Sequence, residues 1–228
     1  MKNYLLFTFL LFSAVNIRAT HIVGGSLNAT QTGPNTYTIT AKIFRDCCSS
    51  CTAMPVSLTI GIYDLVTNNT VQTVTLSNPV LSSVALGDSC FNPQTICIQE
   101  GIFTLPNVSI ANNPNGYYLQ TELYARNNAI DNILDPGNTG AAFYTEIPNP
   151  ALAGMNTTPQ FGNFPSDGYF CTNNPNFFDL NATEPDGDSL VYSLTSPLAS
   201  NLASNGTTPA PYSSVTWLNP YSLNDIVG

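Results

Sequence analysis

The sequence is poor in charge, above all in positive charge. Only five of its 228 residues are Lys or Arg, against fourteen Asp or Glu, and the formal net charge at pH 7 is −9. Proteins that bind nucleic acid or anionic lipid by electrostatics need clustered basic side chains. The composition therefore argues against both partners, whereas an acidic surface is compatible with divalent cations.

Histidine is nearly absent as well, since His21 is the only one. A Ser-His-Asp or Cys-His site needs a base held beside its nucleophile. We therefore expect no enzymatic activity. The single histidine also argues against zinc at Cys48-x-x-Cys51, because no second CxxC or His pair complements that motif.

Long apolar runs are missing after the first twenty residues. Lys2 is followed by YLLFTFLLFSAV, which is too short to span a bilayer and is typical of a secretory leader. We predict cleavage after Ala19 and no membrane span in the mature chain. The predicted location is extracellular, either secreted or at the cell surface.

An exported chain with six cysteines is expected to form disulfides. Cys90 and Cys97 bracket a short loop and are the favoured pair. A bond from the 47–51 cluster to a distant strand is the alternative. The remaining cysteines, whose pairing stays open, are Cys47, Cys48, Cys51 and Cys171.

The helical period of apolar residues is also almost absent. Short runs of Val, Ile, Thr, Tyr and Phe alternate with polar residues instead, separated by Asn, Gly and Pro. About seven strands before residue 150 favour an all-β, immunoglobulin-like sandwich. Strands are predicted at 36–44, 56–65, 70–76, 101–110, 116–125 and 141–147, with a turn at 115–116 and an irregular loop at 127–140.

A charge-free segment rich in Pro, Asn and Gly, 148–165, predicts a domain boundary. Strands are predicted beyond it at 176–183, 189–194 and 213–218, too few for a second full sandwich. We therefore expect a fragment of a longer protein. The predicted divisions are a leader at 1–19, a sandwich at 20–150, a linker at 151–158 and an incomplete second β-domain at 159–228.

Several motifs, taken in their order and spacing, resemble one family. They include ATHIVGGSL at 19–27, YTITAKIFRDC at 37–47, RNNAIDNILDPGNTGAAFYTEIPNP at 126–150 and VTWLNPYSL at 215–223. The chain resembles the N-terminal region of large secreted Bacteroidota proteins of the PKD or gliding-motility-associated C-terminal-domain type. The resemblance implies export that includes the type IX system, further domains in a longer chain, and a cell-surface or matrix partner, with polysaccharide among the candidates.

The second part resembles a cadherin-like or dystroglycan-type immunoglobulin-like repeat. Such repeats open with N-x-x-P-x-F, matched by Asn156, Pro159 and Phe161. A D-x-D-G-D-x-L-x-Y stretch follows, and ATEPDGDSLVYSL at 182–194 matches it except that Glu184 stands at the first Asp.

This acidic stretch supports two interpretations. Calcium takes about six to eight oxygen ligands, and carboxylates on a turn tightened by Gly187 can face one centre. Alternatively, it is a solvated turn whose side chains bond nearby backbone N–H groups. The residues predicted as calcium ligands are Asn156, Asp179, Glu184, Asp186 and Asp188.

The sequence thus predicts a non-catalytic secreted or cell-surface structural or adhesion module, stiffened at its domain junction if calcium binds there. The alternative is a carbohydrate-binding module of an exported multidomain enzyme. Sugar binding requires exposed aromatic side chains, yet strand alternation places at least half of the candidates in the core. The candidates are Tyr117, Tyr118, Tyr124, Phe143, Tyr144 and Trp217.

Overall fold

The computed structural model describes residues 21–47, 51–85, 96–162 and 181–226. Eight strands form two antiparallel four-stranded sheets. The strands are β1 (Ile22–Gly33), β2 (Thr36–Asp46), β3 (Ser57–Asp64), β4 (Thr70–Ser77), β5 (Val80–Val84), β6 (Ile98–Ser109), β7 (Tyr117–Leu123) and β8 (Ala141–Ile147). A short 3₁₀ helix (Pro136–Asn138), α1 (Pro150–Ala153), β9 (Gln160–Phe161) and β10 (Ala182–Thr183) follow.

The first sheet has the order β1-β2-β6-β5 and the second β4-β3-β7-β8. In an immunoglobulin-like sandwich, strands A, B, E and D form one sheet, and strands C, F and G, with C′ added in some domains, form the other. The observed order matches that scheme strand by strand. The predicted all-β, immunoglobulin-like sandwich is therefore confirmed.

The core lies between the sheets because most strands alternate in burial. In β2, Ile39 and Ile43 are fully buried, while Thr40 between them stays partly exposed. Strand β7 is different, since all seven of its residues are buried. Its core-facing residues include Tyr117 and Leu119, so another part of the chain must cover its outer face.

The cover comes from residues 196–218, which we call the covering segment. Gly206 and Glu122 exchange backbone hydrogen bonds of 2.8 and 3.0 Å, and Ala142 donates to the Leu198 carbonyl at 3.1 Å. This part of the predicted second domain therefore contacts the first sandwich directly. The division into two domains stays a prediction.

The corner before β7 is fixed by a tyrosine. The Tyr117 hydroxyl donates to the Ala111 carbonyl at 2.5 Å, which is the tyrosine-corner contact of immunoglobulin-like domains. Gly116 has a φ of +74°, and a Cβ there would lie 2.7 Å from the Ile147 carbonyl oxygen. The predicted turn at 115–116 is confirmed. Glycine is required at position 116 both by the positive φ and by the close approach of the Ile147 carbonyl.

Two strand predictions beyond the boundary are wrong. Residues 189–194 form no strand, and residues 213–218 make only isolated bridges, such as the one between Ser214 and Leu198. Val191 is 93% exposed. The apolar residues that alternate with polar ones at 189–194 therefore do not pack on a sheet. In the predicted strand 176–183, only residues 181–183 are described, and Ala182–Thr183 pairs with β9.

The disulfide prediction needs correction, because Cys97 is bonded to Cys47 rather than to Cys90. Cys47 directly follows β2 and Cys97 directly precedes β6, and these strands are paired neighbours. The Cys47 N–H donates to the Cys97 carbonyl at 2.9 Å, and the Cα atoms lie 5.2 Å apart. The alternative, a bond from the 47–51 cluster to a distant strand, is confirmed.

Cys51 is disulfide-bonded as well. Cys48, Cys90 and Cys171 lie outside the described residues. In the part of the chain that the structure describes, no helix is both long and apolar enough to span a membrane.

Candidate functional site

The segment 156–160, which we call the junction segment, is fastened to β1. The Thr158 N–H donates to the Ala29 carbonyl at 3.0 Å. In return, the Ala29 N–H donates to Thr158 Oγ1 at 2.9 Å. Thr158 is 3% exposed, so one threonine continues the hydrogen bonding of the sheet beyond its edge strand.

Two polar side chains of β1 add to this attachment. Asn28 Nδ2 donates to the Pro159 carbonyl at 2.6 Å, and Gln31 Oε1 accepts from the Asn156 N–H at 3.0 Å. Both side chains are about nine-tenths buried. Buried polar groups are costly unless they are hydrogen-bonded, and here the junction segment supplies the partners.

The acidic loop meets the same segment. The Asp186 carboxylate accepts from the Thr157 N–H, and Asn156 Nδ2 lies 3.4 Å from Asp188 Oδ2. Glu184 Oε2 accepts from the Asp188 N–H at 2.7 Å. The structure thus brings together four of the five predicted calcium ligands, and the fifth, Asp179, lies outside the described residues.

The arrangement of these groups fits the plain acidic turn. The carboxylates of Glu184 and Asp186 each accept from a backbone N–H, and Gly187 has a φ of +88°. Within the described ranges, no group of three or more His, Cys, Asp or Glu is placed to hold a metal ion. Calcium binding by these residues stays a prediction.

A second polar cluster, which the sequence analysis missed, lies under the covering segment. Glu122 is fully buried on the outer face of β7. Its Oε2 accepts from Ser200 Oγ at 2.6 Å and from the N–H groups of Asn201 and Leu202 at 2.5 and 3.2 Å. Its Oε1 accepts from Thr208 Oγ1 at 2.5 Å. In the sequence, the one sign of this cluster is that Glu122 is the only charged residue in its strand.

Tyrosines continue this covered face. The rings of Tyr63 and Tyr118 are stacked with centroids 5.0 Å apart, and those of Tyr118 and Tyr144 with centroids 5.1 Å apart. Tyr212 of the covering segment meets Tyr144 edge-on at 6.4 Å. Burial raises the pKa of the Tyr144 and Tyr212 hydroxyls above the ordinary tyrosine range.

This burial bears on the aromatic side chains that were named as candidates for sugar binding. Tyr117 lies in the core, and Tyr118 is 1% exposed beneath the covering segment. Neither side chain is available to stack on a sugar. Carbohydrate binding by the remaining aromatic residues stays a prediction.

The fold and these contacts together define an all-β sandwich. Its edge strand β1 is hydrogen-bonded to the junction segment, which follows the last strand of the sandwich. No protein-family model, curated protein or solved structure matches the chain.

Proposed function

We propose that the protein is a non-catalytic structural or adhesion module that acts outside the cell, and that its junction segment is a rigid connection to neighbouring domains of a longer chain. The observation that carries this proposal is the attachment of residues 156–160 to β1. A freely jointed linker would not be held in this way.

The junction segment has the composition of a flexible linker, since it lies in a run rich in Pro, Asn and Gly. Five hydrogen bonds nevertheless tie it to β1. Each contributes about 1 kcal/mol net, and the buried partners would be left unsatisfied if the segment moved away. The direction of the chain after the sandwich is therefore restricted.

The bond between Cys47 and Cys97 supports an extracellular location, because disulfides persist mainly in oxidising compartments. A cell-surface or matrix component is the partner that this proposal implies. Calcium would add stiffness where Asp186 and Asp188 face the junction segment, but the rigidity argued here does not depend on it.

Amide hydrogen exchange tests the rigid junction. In the native protein, the amides of Ala29 and Thr158 should exchange slowly. Thr158→Val removes the hydroxyl acceptor of the Ala29 N–H and should speed the exchange of both amides. The matched control is Thr32→Val, because Thr32 is an exposed residue of the same strand.

Rapid exchange of the Thr158 amide in the native protein would refute the rigid junction. The calcium component is tested separately, by following the melting temperature during a calcium titration in the millimolar range. An unchanged melting temperature removes calcium from the proposal and leaves the hydrogen-bonded junction in place.

A further inference from the structure

A cavity of about 230 Å³ lies between the loop after β7 and the C-terminal residues. The proposed function does not use it. Its wall is mainly apolar, with one cationic side chain, Arg126. The apolar wall includes Ile130, Ile133, Leu194, Val215, Trp217 and Leu223.

Backbone hydrogen bonds hold the two sides of the cavity together. The Leu134 N–H donates to the Thr216 carbonyl at 2.8 Å, and the Leu218 N–H donates to the Asn132 carbonyl at 3.0 Å. Trp217 Nε1 donates to Ser196 Oγ at 3.1 Å, which fixes the indole ring. The cavity is therefore formed before any ligand arrives, as small-molecule sites usually are.

Arg126 is a partly buried cation with few partners. Its Nη2 donates to the Leu198 carbonyl at 2.9 Å, while its Nε is buried and has no hydrogen-bond partner. Desolvation lowers the pKa of its guanidinium. Within the described part of the chain, no carboxylate is paired with it. A buried donor without a hydrogen-bond partner is costly, and each such group in a native structure needs an explanation.

We propose that this cavity binds a small carboxylic acid whose apolar body is a single ring or a short acyl chain. The carboxylate would accept hydrogen bonds from the Arg126 guanidinium, whose planar fork matches that group. The body would pack on Trp217 and the aliphatic wall. An apolar cavity of about 150 Å³ holds one benzene molecule, so this cavity has room for a ring and a carboxylate.

Trp217 is the only tryptophan in the chain, so intrinsic fluorescence reports directly on this wall. The probes are phenylacetate and hexanoate, each compared with its neutral amide, phenylacetamide and hexanamide. We expect a saturable fluorescence change with at least one acid, with a Kd of about 1 mM or tighter. That acid should bind about tenfold or more tightly than its amide, because a hydrogen bond to a charged group is lost.

Two variants locate the binding. Arg126→Gln should abolish the preference for acid over amide. Leu194→Ala should weaken binding several-fold without affecting the fold, since the Leu194 side chain is 59% exposed. The matched control is Leu81→Ala, an exposed leucine of β5 that does not line the cavity.

The proposal is overturned if neither acid gives a saturable change, or if the amides bind as tightly as the acids. It is also overturned if Leu194→Ala binds the acids as tightly as Leu81→Ala does. Because Arg126 also bonds the Leu198 carbonyl, its variant is first checked by circular dichroism. If that variant does not fold, the amide comparison and Leu194→Ala decide the question.

Discussion

Asp64, at the end of β3, joins two turns through one carboxylate. It accepts from the Val66 and Thr67 N–H groups at 3.0 and 2.7 Å. It also accepts from the Nδ2 groups of Asn113 and Asn115, the shorter contact being 2.7 Å. These hydrogen bonds, that of Asn113 first, hold the pKa of Asp64 well below its usual range.

This shift predicts how acid affects stability. The folded-state pKa is depressed, so the stabilisation is present above the unfolded pKa of about 4 and is lost as the pH falls toward the folded pKa. Asp64→Asn should therefore be less stable than the native protein at neutral pH and lose less stability on acidification. Urea unfolding between about pH 7 and pH 2 measures this.

Asp131→Asn is the control for that series. The Asp131 carboxylate is exposed and makes no hydrogen bond within the described residues. This variant should follow the acid response of the native protein. Parallel acid responses of the native protein and Asp64→Asn would contradict the assignment.

At the level of the element, β4 has a regular hydrogen-bonding pattern along the edge of its sheet. The Asn78 N–H donates to the Val56 carbonyl at 3.0 Å, and the register of β3 with β4 is unbroken from there to Ile62. Hydrogen-bonded and non-hydrogen-bonded pairs alternate along an antiparallel ladder. Val74 is therefore hydrogen-bonded to Ile60, whereas the backbone groups of Thr75 point away from β3.

Proline scanning checks this pattern. Thr75→Pro removes an N–H that makes no bond to β3, and prolines are tolerated at such edge positions. We expect a loss of about 1 kcal/mol or less. Val74→Pro breaks a bond of the ladder and should lose about 3 kcal/mol or more. A larger loss in urea unfolding for Thr75→Pro than for Val74→Pro would show that the ladder is offset by one residue, and equal losses would show that the alternation does not decide the cost of proline here.

Which elements were predictable depended on local sequence signals. Strand β8 was predicted at its observed bounds, because AAFYTEI contains aromatic and β-branched residues and lies between Gly140 and Pro148. Strand β1 was missed, because it has two glycines among its first four residues and buries the polar residues Asn28 and Gln31. Strand β5 was missed because it is almost wholly exposed and shows no buried face.

The site was predictable only in part, for a related reason. The approach of Asn156 to Asp188 followed from motifs close to the predicted domain boundary. The bonds of Thr158 to Ala29 and of Ser200 to Glu122 join residues 129 and 78 positions apart. Hydrophobic periodicity reports on one element at a time, so it carries no information about such pairs.

For the whole molecule, Glu122 connects the covering segment to the sandwich. Four donors from residues 200–208 converge on one buried carboxylate. Glu122→Gln keeps the shape of the side chain but turns an NH₂ group toward some of those donors. We expect a loss of about 2 kcal/mol in unfolding free energy, because charge-assisted hydrogen bonds are lost and buried N–H groups become unsatisfied.

Thermal unfolding measures the loss, and limited proteolysis between residues 196 and 218 shows where it acts. Glu146→Gln is the control, since Glu146 is an exposed residue of β8 that accepts only from the Tyr144 hydroxyl among the described contacts. If Glu122→Gln has the same melting temperature as the native protein and is cleaved no faster between residues 196 and 218, the carboxylate does not hold the covering segment in place.

The bond between Cys47 and Cys97 has a mechanical consequence. It spans 50 residues of sequence, and β3, β4 and β5 all lie inside that loop. When the chain is pulled from its two ends, tension passes directly from one cysteine to the other and bypasses those three strands. The disulfide therefore prevents about 170 Å of chain from extending. A domain loaded in this way would stretch far less than the number of its residues implies.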